Sequence, residues 1–151
     1  MKRNVYIACF TISREVNIIK ATMTKKEKFE LEYVLKTSPK VLDKLLITPD
    51  GLSEWFAEDV IVKDEVYTFH WDGSEEQARL LSKKTGEGIR WQWVHDENEQ
   101  PEAYFEMRYM IDPITKAVIF TVTDFAESSE REQVVRLWES QISDLRRVLG
   151  A

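Results

Sequence analysis

Apolar and polar residues begin to alternate strictly at Phe29, where Phe29, Leu31, Tyr33 and Leu35 interleave with Glu30, Glu32 and Lys36. Side chains of a strand point to opposite faces with period two, so this pattern predicts an antiparallel strand buried on one face. Ser38-Pro39 and Thr48-Pro49 each set a side-chain hydroxyl just ahead of a proline, the arrangement of an N-cap followed by a first helical residue. Two short helices are therefore expected in succession. The first carries Val41, Leu42, Leu45 and Leu46, and the second Leu52, Trp55 and Phe56.

The period then returns to two. Residues 60–62 turn at Lys63-Asp64-Glu65 into a strand over 66–71, and Asp72-Gly73 reads as a tight hairpin turn with positive φ expected at both central positions. Residues 76–84 form a more polar strand whose large apolar residues are Leu80 and Leu81. After Thr85-Gly86-Glu87-Gly88 comes a strand over 89–94, then an acidic loop over 96–102, read as a solvated hairpin tip. Strands over 104–111 and 117–125 flank a turn at Asp112-Pro113. Turn signals at this spacing, with no helical period between them, predict an antiparallel meander. A helical period closes the chain: Val134, Leu137, Trp138, Gln141, Ile142, Leu145, Val148 and Leu149 share one face. Ser129 and Glu132 have capping-box spacing, and Gly150 marks the end. A helix of about five turns with so wide an apolar stripe has to lie along the sheet.

At 151 residues, 43% of them hydrophobic and 32% charged, the chain has the make-up of one soluble domain with a sizeable core. Its single cysteine, Cys9, excludes an intramolecular disulfide framework and fits a reducing cytoplasm. No apolar run approaches the roughly 18 to 20 residues of a membrane span, so membrane insertion is not expected. The net charge of −6 argues against nucleic acid as a partner, because phosphate neutralisation needs clustered Lys and Arg. Charge is also uneven along the chain. Lys2, Arg3, Arg14 and Lys20 against Glu15 put +3 on residues 1–22 and leave −9 on residues 23–151. The apolar patch Val5 to Phe10 is short and has no small-residue cleavage site, so it does not read as a secretory signal. Residues 1–22 are expected to be an appendage, either upstream of the domain's own start at Met23 or an arm that packs on the domain or on a neighbouring copy. Residues 23–151 are expected to be the domain.

The element order is strand, two short helices, a run of strands, one long helix. With the Thr48-Pro49-Asp50-x-Leu52-x-x-Trp55-Phe56 stretch, the Phe69-x-Trp71 and Ile89-Arg90-Trp91 strands and the Trp138 helix, the chain resembles the helix-grip fold of the START-like (SRPBCC) superfamily. Within it the chain looks similar to bacterial homologues of the activator of the 90-kDa heat-shock-protein ATPase. The resemblance spans residues 27–149. It implies an α+β fold in which a curved antiparallel sheet of six or seven strands wraps around the C-terminal helix, with a cavity between them. Residues 1–22 have no counterpart in that pattern, and Phe125-Ala126-Glu127-Ser128 replaces the usual Gly-rich opening of the last helix region. The separate chaperone-binding domain of the eukaryotic activator has no counterpart here either, so chaperone activation is not carried over.

On alternation, the positions facing that cavity are Tyr33, Leu35, Phe69, Trp71, Trp91, Trp93, Phe105, Met107, Tyr109 and Phe120, with Trp138, Ile142 and Leu145 from the helix. These make Tyr33, Phe69, Trp71, Trp91, Trp93, Phe105, Met107, Tyr109, Phe120, Trp138 and Ile142 the candidate ligand-binding residues. Two readings stay open: a concave apolar site for a small hydrophobic or lipid-like molecule, or an interior filled by the rings themselves. Trp55-Phe56 is expected to close one end of the domain.

No catalytic set converges. His70 and His95 alternate with tryptophans and should point away from the cavity, and neither has a partner at metal-ligand spacing. Gly-rich phosphate loops and nucleophile elbows are absent, so no cofactor or metal is expected. Glu106 and Arg108 share a strand face, where cross-strand ion pairing is the expected role and orientation of a ligand carboxylate or a general acid/base pair the alternatives. The expected function is non-catalytic binding of a hydrophobic ligand. Its alternatives are an enzyme of the polyketide-cyclase type, which requires polar residues inside the cavity, and a co-chaperone-like interaction module engaging a protein partner or a second copy.

Overall fold

The computed structural model describes residues 25–150, so the expectation for residues 1–22 lies outside the described residues. Seven strands form one antiparallel sheet: β1 (Glu27–Leu35), β2 (Asp59–Lys63), β3 (Val66–Trp71), β4 (Ser74–Lys84), β5 (Gly88–Trp93), β6 (Phe105–Ile111) and β7 (Val118–Ala126). Their spatial order is β1-β7-β6-β5-β4-β3-β2. Strands β2 to β7 therefore form a meander, and β1 joins its far side through β7. Helices α1 (Pro39–Ile47) and α2 (Pro49–Trp55) fill the crossover from β1 to β2, α3 (Asp96–Glu99) is a single turn after β5, and α4 (Arg131–Leu149) ends the fold.

Local chemistry accounts for the helix boundaries. Ser38 Oγ accepts from the Val41 N–H at 3.3 Å and Thr48 Oγ1 from the Gly51 N–H at 2.9 Å, so both proline-preceded caps form. Gly51 lets α2 turn back tightly on α1, since a Cβ there would lie 1.9 Å from the Lys44 carbonyl oxygen. Gly150, at φ 75°, closes α4 in the left-handed conformation.

Three local expectations are corrected. The capping box at Ser129 and Glu132 does not form: a turn closed from the Glu130 N–H to the Glu127 carbonyl moves the N-cap to Glu130, and α4 starts at Arg131. At Asp72-Gly73 only Gly73 has positive φ, whereas the turn with two positive-φ residues is Asp64-Glu65, at 52° and 65°. The acidic segment after β5 is not simply a solvated tip, because Asp96 opens α3 and is 2% exposed.

One sheet face and the apolar stripe of α4 enclose the core. Val134, Leu137, Trp138, Ile142 and Leu145 of α4 belong to the same buried cluster as Tyr67, Phe69, Trp91, Phe105, Met107 and Phe120 of the strands. Leu42, Leu46, Leu52 and Phe56, from α1, α2 and the residue after it, complete that cluster.

Candidate functional site

The site is built around Phe56, which follows the last residue of α2. Its carbonyl accepts from Trp71 Nε1 at 2.9 Å and from Gln141 Nε2 at 3.2 Å, so a strand and the long helix both fix its backbone. The ring is thereby driven inward, between sheet and α4. Its centroid lies 5.0 Å from that of Phe69, 5.9 Å from Trp138, 6.0 Å from Trp71, 6.3 Å from Phe105 and 6.5 Å from Trp91. Behind it, Trp91 and Trp93 stack on Phe105 at 5.0 and 4.5 Å, and Tyr67 meets Trp91 edge-on at 5.5 Å. Such offset and edge-to-face pairs add to the stability that burial alone provides. Phe56 thus does more than close one end of the domain; it occupies the middle of the ring cluster.

The predicted site residues divide by their surroundings. Phe69, Trp71, Trp91, Trp93, Phe105 and Trp138 meet in the ring cluster, and Met107, Phe120 and Ile142 are buried in the same core. Tyr109 is buried too, but its hydroxyl donates to Asp43 Oδ1 at 2.8 Å. Burial, with the Asp43 carboxylate beside it, pushes that phenol up to about 12. Tyr33 is only half-buried, its ring 5.9 Å below the Arg146 guanidinium. The sequence reading missed Tyr67, which alternation on β3 would have found, and Asp124.

Asp124 is the polar interruption of an otherwise apolar face on β7, after Val118, Phe120 and Val122. It is 2% exposed. Its Oδ2 accepts from Trp138 Nε1 at 2.7 Å and its Oδ1 from the Phe125 N–H at 2.7 Å. The carboxylate locks α4 to the sheet through a charge-assisted bond. Trp55 and Trp71 likewise donate their indole N–H groups, to the Leu45 and Phe56 carbonyls. Trp91 differs, because its fully buried Nε1 has no hydrogen-bond partner among the described residues. A buried donor without an acceptor costs about 1 to 3 kcal/mol, so the orphan calls for an explanation.

Two surface clefts are lined by described residues. One, of about 360 Å³ between α2 and α4, is lined by Trp55, Phe56, Trp71, Gln141 and Arg147. The larger, about 840 Å³, is lined by Ile89, Tyr109, Met110, Ile111 and Ile119 together with Glu32 and Arg108. Tyr109 is the one predicted site residue on its wall, and most of the lining comes from the outer face of the sheet. Glu106 and Arg108 also lie on that outer face. Arg108 bonds Glu106 at 2.7 Å and Glu30 at 3.1 Å, and Arg90 bonds Glu106 at 2.8 Å while lying 4.0 Å from the Tyr104 ring centroid. The pair is thus part of a cross-strand ion network. His95 stacks on Trp93 at 6.1 Å, with its Nδ1 3.3 Å from Asp96 Oδ1. Among the described residues no cluster of His, Cys, Asp and Glu is arranged to hold a metal ion. No described helix is long and apolar enough to cross a membrane.

A seven-stranded antiparallel sheet closed over a long C-terminal helix, with two short helices inserted after the first strand, is a helix-grip domain. Residues 23–151 match the model of the START-like superfamily domain, and the chain belongs to that superfamily. The chain is similar to a solution structure from Bacteroides fragilis, at 37% identity and a TM-score of 0.59 over 82% of this chain and 91% of that one. It also shares the fold of the Aha1 dimer from Colwellia psychrerythraea, at 15% identity and a TM-score of 0.69 over 82% and 96% of the two chains. A solution structure from Cytophaga hutchinsonii is similar at 16% identity and a TM-score of 0.61, over 85% and 97%. Among curated proteins nothing matches the chain.

Proposed function

We propose that the domain is a non-catalytic binder of a small, flat apolar molecule, held between sheet and α4 at the position of the Phe56 ring. The observation that carries this reading is the Trp91 indole N–H, buried among rings with no acceptor among the described residues. A ligand with an apolar body and one oxygen would supply the acceptor and keep the stacking surfaces covered. Phe56 is the displaceable part. It follows a two-turn helix and is among the residues that line the cleft between α2 and α4, so withdrawing its ring would open a way in from the surface. The polar groups inside serve the architecture: Asp124 holds Trp138, and Gln141 holds the Phe56 carbonyl, which favours binding over a cyclase-type reaction. A cytoplasmic location belongs to the same reading.

Naphthol is a suitable probe. On titration it should shift the NMR signal of the Trp91 indole N–H, quench tryptophan fluorescence and raise the melting temperature. Phe56→Ala should bind it more tightly while losing about 3 to 5 kcal/mol of stability. Trp91→Phe should erase the preference for naphthol over naphthalene. If Phe56→Ala takes up the probe and the unaltered protein shows no response, the rings are plain core and the reading fails.

A further inference from the structure

The strand registers put Leu35, Val118 and Ile111 at one end of the sheet, with the β4–β5 turn nearby and the start of α1 following directly on β1. The last turn of α4 reaches the same end, where Arg146 donates to the Val34 carbonyl at 3.2 Å. The β6–β7 turn is stiff there. Asp112 Oδ1 accepts from the N–H groups of Ile114 and Thr115 at 2.8 and 3.1 Å, and its carbonyl accepts from Lys116. The turn holds Ile114 out at its tip, 88% exposed. Beside it Val34, Ile119 and Met110 form one cross-strand row on the outer face, and Val34 and Met110 are 59% and 58% exposed.

Lysines lie at this end of the sheet: Lys116 in the turn itself, Lys36 and Lys40 just after β1, and Lys83 and Lys84 at the end of β4. Lys36, Lys40, Lys83 and Lys116 are exposed and have no carboxylate within ion-pair distance among the described residues, while Lys84 pairs with Glu87 at 3.2 Å. Of the acids nearby, Asp43 accepts from Tyr109 and from the Gly86 N–H and Asp112 is tied into its own turn, while Glu32 is exposed on the outer face two residues before Val34. Residues 23–151 carry −9, so a cationic end with an apolar tip is a local reversal of the molecule's charge.

Ile114 and its row require an apolar medium, and the lysines require anions in the same plane. A nucleic acid meets the second need and not the first. An anionic lipid surface meets both, with acidic headgroups level with the lysines and acyl chains just below. We infer that this end of the domain docks on an anionic bilayer, with Ile114 in the headgroup layer. The docking is peripheral, and it stands independently of the interior site.

The test is co-sedimentation of the full chain with phosphatidylcholine vesicles, with and without phosphatidylserine. Retention is expected only with phosphatidylserine and should fall with rising salt. Ile114→Asp, at an exposed position, should leave the melting temperature unchanged and weaken binding about tenfold. Neutralising Lys36, Lys84 and Lys116 to Gln should weaken it by roughly fivefold per lysine. Binding that survives both variants would belong elsewhere, residues 1–22 included, and would overturn the inference. So would equal binding to uncharged vesicles, no binding to either, or binding to heparin without binding to vesicles.

Discussion

Asp124 shows how one residue outside the expected pattern can join two elements. Its carboxylate serves the Trp138 indole and the Phe125 amide together, at a site 2% exposed. Asp124→Ala should cost about 2 to 3 kcal/mol in urea denaturation, because it strands a buried indole N–H. Asp124→Asn keeps an acceptor and should cost distinctly less. The break in the apolar run of β7 is visible in the sequence. What it bonds is not, since Trp138 lies on another element, and the same gap hides the orphaned N–H of Trp91. Phe56 is a sharper case. A short helix offers no alternation to read, and its inward turn is set by Trp71 and Gln141, 15 and 85 residues away.

Between residues and the whole, the elements were legible where their signals are local. Both Ser/Thr-Pro caps, the Gly150 terminus and all seven strands follow from period and turn chemistry. The hairpin turns were legible only in part. Lys63 pairs with Val66, so a two-residue loop of Asp64 and Glu65 has both residues at positive φ, a conformation that costs L-residues energy and that Asn-Gly adopts readily. Replacing Asp64→Asn and Glu65→Gly together should stabilise the protein by about 1 kcal/mol, seen as a higher denaturation midpoint with an unchanged slope. A result at or below zero would mean that the flanking strands, not the turn residues, hold the loop. The missing capping box and the appearance of α3 have a common cause. In each case a neighbouring contact, the Glu127–Glu130 turn or the burial of Asp96, outweighs a weak local preference.

At the scale of the molecule, the segment leading into β1 is held by charge as well as by packing. Lys26, just before β1, reaches both oxygens of Asp96 at 2.9 and 3.0 Å across 70 residues of sequence. Burial pushes the Asp96 carboxyl up, but His95 and Lys26 together outweigh it and hold the group below its ordinary value of 3.8. A depressed folded value means that this stabilisation is complete above the ordinary value and is lost as pH falls through the folded one. Lys26→Met should therefore cost about 2 kcal/mol at neutral pH, because it leaves the buried carboxylate with only the His95 ring beside it. It should also flatten the fall in stability between roughly pH 5 and pH 2, measured by denaturant titration at each pH. An unchanged acid limb would show that other carboxylates govern it.

The sequence by itself determined the order of elements, the inward face of five of the strands and the stripe of α4, and its motifs carried the resemblance to a helix-grip class. Order, faces and stripe follow from periodicity, which neighbours along the chain carry, and the class from the resemblance of particular motifs. Only the tertiary structure decided what occupies the space between sheet and helix, which buried donors find acceptors, and which lysines share the Ile114 end of the sheet. Those outcomes depend on distances between residues far apart in the chain, and such distances exist only once the sheet has closed over the helix.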